Sequence, residues 1–316
     1  MVRKIALEEH FLCPGFEEYW LATVADVDPK IYGSLVTRLN DFAEQRLQAM
    51  DQAGIARAVL SLAGPGVQAE PDVKTACRNA RAANDFLARE IQKRPDRYSG
   101  FGHLPMQDPL AAAAELERCM RELSFCGAMI NGHTNGQYLV HPSLHPFWER
   151  AEALGAPIYL HPADPVAPLP VLAGYPVLVR PMWGWGVETG SHALRIICGG
   201  VFHRYPKAKL LLGHLGETLP FQLWRFDSRS KPYGWNLPKP SSQYLKENVW
   251  VTMSGMYDGP PVRCSLDALG RDRVMFSSDY PFDSEGAGQF MDTVPLEESL
   301  RADIAYNNAA KLLGLA

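Results

Sequence analysis

The sequence predicts an α/β protein folded as a (β/α)8 TIM barrel, on the basis of two observations. First, eight short segments rich in apolar and β-branched residues alternate with segments whose apolar residues recur at helical spacing. Second, the strand segments are nearly continuous in apolar residues, which is typical of parallel strands covered by helices. The chain has 316 residues and contains no linker or repeat, so we expect one domain over residues 1–316.

The predicted elements follow one another regularly from the N-terminus. The predicted strands cover residues 4–10, 56–62, 98–102, 127–131, 158–161, 209–214, 248–253 and 274–278. The predicted helices lie near residues 40–54, 76–94, 109–123, 142–154, 188–202, 220–229 and 241–247. Gly54 and Gly155 would end the helices before strands two and five, and Pro95 the helix before strand three. Two long segments, 11–32 and 162–185, are rich in aromatic residues or proline and are expected to be loops.

Composition and charge exclude several classes of protein. The 31 basic and 35 acidic residues give a net charge of −4 without a basic cluster, which argues against nucleic acid or a membrane surface as a partner. No apolar run approaches the ~20 residues that span a bilayer. A strand that begins at residue 4 leaves no room for a signal peptide, so we expect a cytoplasmic protein. The six cysteines are scattered without a CxxC pair, as expected for reduced thiols.

Chemically active residues occur where several predicted strands end. Glu8 and His10 share one face of the first strand, and Glu9 takes the other. Strands five, six and eight end in His161, His214 and Asp279. The carboxyl ends of parallel barrel strands meet at one mouth, and a mixed set of carboxylates and imidazoles suits a divalent cation. The sequence therefore suggests one metal site at this mouth.

Each of these residues also has an ordinary structural interpretation. Glu8 and His10 are compatible with a polar strand end at a barrel rim, and Asp279 with a cap on the turn before Pro281. His214 is compatible with a hydrogen-bonded core histidine, and Glu217, three residues later in the first turn of the following helix, can reach its ring and fix its tautomer. The functional interpretation is favoured because four strand ends carry such residues together.

Ten segments, in order along nearly the whole chain, resemble one known family. They are similar to the aromatic-acid decarboxylase branch of the amidohydrolase superfamily, the ACMSD-like family with the γ-resorcylate, 2,3-dihydroxybenzoate and 5-carboxyvanillate decarboxylases. Residues 6–11 are most similar to the γ-resorcylate enzymes, and residues 131–138 and 186–190 to the carboxyvanillate enzymes. The matching segments are residues 6–11, 60–68, 94–98, 130–134, 159–162, 186–192, 213–217, 224–225, 277–282 and 308–312.

The resemblance implies a role for individual residues. It implies that one divalent metal, Mn²⁺ or Zn²⁺, is bound by Glu8, His10, His161 and Asp279. His214 would handle a proton with the help of Glu217, and no organic cofactor would be needed. The fourth strand ends at Asn131, where binuclear relatives carry a bridging lysine, so a mononuclear site is favoured.

The resemblance also implies substrate contacts and an assembly. Arg225 is similar to a substrate-contacting arginine of the family and would lie two helical turns beyond Glu217, although a surface ion pair explains it equally well. Asn131 and Phe282 are further candidates for contact with the substrate, and His133 follows the fourth strand closely. A homotetramer or homodimer is the assembly that the family implies.

Three functions compete at this point. The leading hypothesis is decarboxylation of an ortho-hydroxybenzoate, such as 2,6-dihydroxybenzoate, to the phenol and CO2 in aromatic compound catabolism, with Asp279 protonating the ring carbon. The alternative is metal-dependent hydrolysis of a lactone or an amide by metal-bound water, and the third is a barrel without activity that serves as a binding protein. Product analysis separates the first two, because CO2 release differs from net addition of water.

Overall fold

Eight parallel strands, paired in chain order, form the centre of the computed structural model, which describes residues 1–24 and 27–315. An isolated parallel bridge between Glu9 and Tyr280 brings the first strand beside the chain that follows the eighth, so the sheet is a nearly closed barrel. The predicted (β/α)8 fold is confirmed. The strands are β1 Lys4–Phe11, β2 Ile55–Leu62, β3 Tyr98–His103, β4 Gly127–Asn131, β5 Pro157–His161, β6 Lys209–Leu212, β7 Val249–Thr252 and β8 Val274–Met275.

Helices connect the strands and cover the barrel from outside. The α-helices are Glu17–Leu21, Pro29–Asn40, Gln45–Ala53, Val73–Lys93, Pro109–Arg121, His145–Leu154, Gly184–Cys198, Val201–Arg204, Leu223–Ser230, Ser241–Asn248, Gly259–Leu269, Ala287–Thr293, Glu298–Ala302 and Asn308–Leu313. Short 3₁₀ turns are Ala22–Val24, Gly66–Ala69, Pro142–Leu144, Pro170–Leu172, Pro176–Leu178, Leu219–Gln222 and Lys231–Tyr233, and a π-helical turn spans Asp303–Asn307. None of the described helices is both long and apolar enough to cross a bilayer.

Local sequence signals account for many of the helix ends. Gly54 and Gly155 adopt the left-handed conformation, with φ of 70° and 63°, and end their helices as predicted.

The segment 11–32 is not the continuous loop that was predicted. It contains the helix Glu17–Leu21 and the start of Pro29–Asn40, whose first turn is capped by the Asp28 side chain with proline at the first helical position. Residues 25 and 26 of this segment, and residue 316 at the C-terminus, lie outside the described residues.

A bulge in β1 decides which side chains enter the barrel. Ile5 and Leu7 pack inside with Tyr159 and Leu211 of the facing strands. The register between β1 and β2 then shifts between Ala6 and Glu9, which inserts one extra residue into β1. Because a bulge restarts the alternation of side chains, Glu8 and His10 also face inward, above the apolar layer. The barrel therefore has an apolar floor and a polar mouth.

Candidate active site

Glu8, His10 and His161 form the centre of the polar mouth. Their ligand atoms all lie within 4.8 Å of one another, and within the described residues this is the group with metal-ligand geometry. His161 Nε2 is 3.3 Å from Glu8 Oε1, and the rings of His10 and His161 meet edge to face with centroids 4.8 Å apart. Three side chains predicted as ligands from distant parts of the sequence are thus brought together.

Asp279 lies beside this group, on the chain that follows β8. Its Oδ1 is 3.4 Å from His10 Nε2. Asp279 has a φ of +54°, a left-handed conformation that aspartate and asparagine tolerate better than most residues. The arrangement leaves Asp279 at the edge of the group, where it can complete a ligand set or face a bound molecule.

The donor set fits a divalent cation. Glu8 Oε1 and His10 Nε2 are buried and have no hydrogen-bond partner among the residues that the structure describes. Buried polar atoms are nearly always paired, because an unpaired one costs about 1–3 kcal/mol. A cation bound by this oxygen and nitrogen would satisfy both atoms, and oxygen and imidazole ligands suit Mn²⁺ or Zn²⁺.

Several neighbours hold the proposed ligands in place. The Tyr159 hydroxyl donates a hydrogen bond to Glu8 Oε2 and lies 2.7 Å from Thr252 Oγ1. His161 Nδ1 donates to the Pro162 carbonyl oxygen at 2.8 Å, which turns Nε2 toward the site. A Cβ on Gly213 would lie 2.8 Å from Glu8 Oε2, so a larger residue there would displace this carboxylate from its present position. Sequence reasoning missed Tyr159, although its position two residues before His161 on one strand places both on the same face.

His214 and Glu217 are joined by a left-handed turn. Five consecutive residues, 214–218, have φ between 51° and 84°. This turn brings Glu217 Oε1 to 2.7 Å from His214 Nδ1. The predicted contact between the two side chains is confirmed, but the right-handed helical turn assumed for it was wrong. Left-handed residues cost roughly 1–2 kcal/mol each, which is the kind of strain found at functional sites.

Burial and mutual charge shift the pKa values of the site. Burial lowers the pKa of both His10 and His161 to about 4, so their rings are neutral and able to bind a metal. Burial and the nearby Glu8 raise the pKa of Asp279 to about 8. Burial alone would lower the pKa of His214, but the ion pair with Glu217, aided by Glu8 and Asp279, raises it to about 10. The site therefore combines two neutral imidazoles, His10 and His161, with two groups that hold a proton near neutral pH, Asp279 and His214.

A cavity of about 290 Å³ opens beside His161. Asn131, at the end of β4, and His133 line it together with Asp164 from the loop after β5 and Trp185 from the first turn of the helix Gly184–Cys198. The Trp185 indole donates to Asp164 Oδ1 at 2.7 Å and so joins the helix to the loop. The Phe282 ring lies 5.5 Å from the His10 ring, on the site side as predicted.

Arg225 does not join the site within this chain. Its side chain is exposed on the helix Leu223–Ser230 and makes no hydrogen bond or ion pair within the described residues. The prediction that it continues the helix of Glu217 was wrong, because the left-handed turn and the 3₁₀ turn Leu219–Gln222 separate them. Two other histidines have structural roles: the rings of His103 and His192 accept backbone hydrogen bonds from Val67 and Leu139.

The fold and the site are those of a parallel-barrel enzyme with a carboxylate–imidazole group at the strand ends that could hold a metal, namely Glu8, His10 and His161, called the metal group below. The sequence profile of the amidohydrolase family matches residues 18–315, and the chain belongs to this family. It is 40% identical over 330 residues to the γ-resorcylate decarboxylase of Rhodococcus jostii, covering 100% of this chain and 99% of the relative.

Solved structures show the same similarity. The 2,6-dihydroxybenzoate decarboxylase complexed with 2,6-dihydroxybenzoate has a TM-score of 0.92 at 38% identity and covers 100% of both chains. The dihydroxybenzoic acid decarboxylase of Polaromonas sp. JS666, solved with manganese and 2-nitroresorcinol, has a TM-score of 0.91 at 39% identity, covering 100% of this chain and 98% of the other. The resemblance to aromatic-acid decarboxylases is confirmed.

Proposed function

We propose that this protein is a carboxy-lyase that converts an ortho-hydroxybenzoate, with 2,6-dihydroxybenzoate as the first candidate, to the phenol and CO2. The observation that carries the proposal is the group of Glu8, His10 and His161, with Asp279 3.4 Å from His10, in a chain 40% identical to a γ-resorcylate decarboxylase. Hydrolysis of a lactone or an amide is less well supported, since the similar proteins are named decarboxylases.

One divalent metal would be held by Glu8, His10, His161 and Asp279. Manganese is the first candidate because it is bound in the Polaromonas relative, and zinc is the second because its ligand preferences also fit. When bound, such an ion acts as a Lewis acid that holds negative charge on oxygen and fixes the orientation of a chelating substrate. No organic cofactor enters the proposal.

Asp279 and His214 would carry the proton chemistry. Asp279 would protonate the ring carbon that bears the carboxylate, which interrupts the aromatic system. The carbon–carbon bond to the carboxylate then breaks, CO2 leaves, and the electron pair restores the aromatic ring. His214, held by Glu217 at 2.7 Å, would donate a hydrogen bond to the phenolic oxygen as charge develops there.

The residues around the cavity would orient the ring. The Phe282 ring beside His10 excludes water and presents an aromatic wall. Asn131 and His133 line the cavity where ring substituents would extend from the metal group. These residues would therefore determine which substituted benzoates are accepted.

The proposed enzyme is a homodimer or homotetramer located in the cytoplasm. Phe221, just before the helix of Arg225, and Trp224, within it, are 83% and 78% exposed, which supports burial of this face in a homodimer or homotetramer. A contact between Arg225 and substrate would have to form at such an interface. The free cysteines support a reducing cytoplasmic location.

A comparison of isomers tests the proposed function. Manganese-loaded enzyme should release CO2 from 2,6-dihydroxybenzoate, 2,3-dihydroxybenzoate or salicylate, and not from 4-hydroxybenzoate. Only an ortho hydroxyl lies close enough to the carboxylate for both to bind one metal ion. Equal rates on the para isomer would contradict the proposal, and activity on a lactone without CO2 release would support hydrolysis.

A further inference from the structure

The carboxylate of Glu9 is buried behind β1, on the opposite face from the metal group. It is 2% exposed, and both of its oxygens accept hydrogen bonds from Ser278, while the Ser277 hydroxyl also donates to Oε1 at the longer distance of 3.4 Å. Glu9 Oε1 accepts from the Ser278 backbone N–H at 2.9 Å, and the Ser278 hydroxyl lies 2.8 and 2.7 Å from the two carboxylate oxygens. Glu9 therefore holds the residue that immediately precedes Asp279.

The regular sheet does not provide this support. Pairing between β7 and β8 ends at Met275, so Asp279 lies four residues beyond the last paired residue of its strand. Asp279 also has a φ of +54°, a conformation that needs support from its surroundings. The hydrogen bonds from Ser278 to Glu9 link this part of the chain to β1, together with the Glu9–Tyr280 bridge and the bond from the Glu8 backbone N–H to Ser277 Oγ at 2.7 Å.

A second contact fixes the other side of Asp279. The Tyr280 carbonyl oxygen accepts from the His10 backbone N–H at 2.8 Å. The buried Arg46 donates to the His10 carbonyl oxygen at 2.6 Å, and its guanidinium lies 4.5 Å from the Tyr280 ring centroid. Both neighbours of Asp279 in the sequence are thus attached to β1, the strand that carries the proposed ligands Glu8 and His10.

We propose that Glu9 is a positioning residue for the reaction: it holds Ser278 and thereby sets the Asp279 carboxylate against His10 and the bound substrate. This inference rests on the proposed function, because it assumes that Asp279 delivers the proton to the ring. Glu9 lies on the face of β1 opposite Glu8 and His10, so it would contact neither the metal nor the substrate. Its effect passes through the backbone of one residue.

Two substitutions at Glu9 test the inference. Glu9→Ala removes all acceptors for Ser278, and displacement of a catalytic group by about 1 Å costs on the order of 100-fold in rate. We expect kcat to fall roughly 10- to 100-fold while KM changes little, because Glu8, His10 and His161 still hold the metal. Glu9→Gln keeps an acceptor for the Ser278 N–H and offers an N–H to its hydroxyl, so it should restore most of kcat.

Glu115→Ala is the matched control. Glu115 is also a buried carboxylate, hydrogen-bonded to Arg118 and Asn84 between the helices Val73–Lys93 and Pro109–Arg121. Its loss should lower the melting temperature and leave kcat per folded molecule unchanged.

A cavity of about 480 Å³ borders Glu9 and Ser278, so water can reach the Ser278 amide in Glu9→Ala, and we expect this variant to fold.

Several outcomes would overturn the inference. Unchanged kcat in Glu9→Ala would do so, and so would Glu9→Gln losing as much activity as Glu9→Ala, since the charge would then matter rather than the position. If Glu9→Ala does not fold, Ser278→Ala decides instead, because it removes the hydroxyl contacts from the other side. A reduced kcat at constant KM supports positioning, and an unchanged kcat overturns it.

Failure of the proposed function can be told apart from failure of this inference. If wild-type enzyme releases no CO2 from any hydroxybenzoate, the decarboxylase proposal fails. Crystal structures of manganese-loaded wild type and Glu9→Ala then decide the positioning role. The Asp279–His10 distance of 3.4 Å should be lost in the variant, and its retention would overturn the inference.

Discussion

Replacement of Tyr159 by phenylalanine should weaken metal binding without changing the fold. The Tyr159 side chain is fully buried, and its hydroxyl donates to Glu8 Oε2. Phenylalanine fills the same space but leaves Glu8 Oε2 and Thr252 Oγ1 without this partner. The carboxylate then loses the bond that orients it toward the metal position.

The magnitude follows from the kind of bond that is removed. A hydrogen bond to a charged group contributes about 1.5–3 kcal/mol. Because about 1.4 kcal/mol corresponds to a factor of ten, the Kd for Mn²⁺ should rise roughly 10- to 150-fold. Loss of a group that supports a metal ligand typically weakens affinity about 10- to 100-fold, which agrees with this range.

Calorimetric titration of metal-free protein with Mn²⁺ measures the effect. Tyr98→Phe is the matched control, because the Tyr98 hydroxyl is equally buried and donates to the Phe42 carbonyl oxygen at 2.7 Å away from the metal group. The control should lose stability but keep its Kd. An unchanged Kd in Tyr159→Phe, or an equal change in both variants, would refute the reasoning.

The remaining predictions concern the ligands and the proton-bearing groups. Asp279→Asn should retain its left-handed backbone but lose at least ~10²–10⁴ in turnover when loaded with manganese, and substantial CO2 release would move the acid role to His214. His161→Ala should lose most of its metal by elemental analysis, and full occupancy would contradict its assignment as a ligand. Glu217→Gln should lower the pKa of His214 from about 10, because burial then acts with less opposition, so its ring should lose its proton at lower pH in an NMR titration of metal-free protein. Because the pKa of His214 is raised in the folded state, its pair with Glu217 contributes its full stabilisation at a pH below about 6.5, the ordinary histidine pKa. This stabilisation is lost as the pH rises through about 10. The difference in unfolding free energy between wild type and Glu217→Gln should therefore shrink between these two pH values.

The barrel and most of the site could be predicted from the sequence because they depend on regular patterns. Apolar strands buried on both faces determine the eight-stranded sheet, and parallel strands bring their carboxyl ends to one mouth. Glu8, His10 and His161 could therefore be grouped although more than 150 residues separate the first from the last. The N-terminal helix Pro29–Asn40 was missed because its Asp–Pro start lies inside a segment judged by its aromatic content.

The parts that could not be predicted depend on irregular backbone. β1 contains neither glycine nor proline, so no residue type in its sequence marks the position of the bulge. The left-handed turn 214–218 contains only one glycine, and its other four residues adopt positive φ because the surrounding structure holds them there. The error at Arg225 follows directly, since a helix was extended across this turn.

The most direct test of the central claim is the fate of 2,6-dihydroxybenzoate labelled with ¹³C in its carboxylate, incubated with manganese-loaded enzyme in D2O. We predict one ¹³CO2 for each substrate consumed and deuterium at the ring carbon that lost the carboxylate, because that carbon receives its proton from an exchangeable group such as Asp279. Retention of the label in the aromatic acid, together with addition of water to a lactone or an amide by the same preparation, would contradict the assignment.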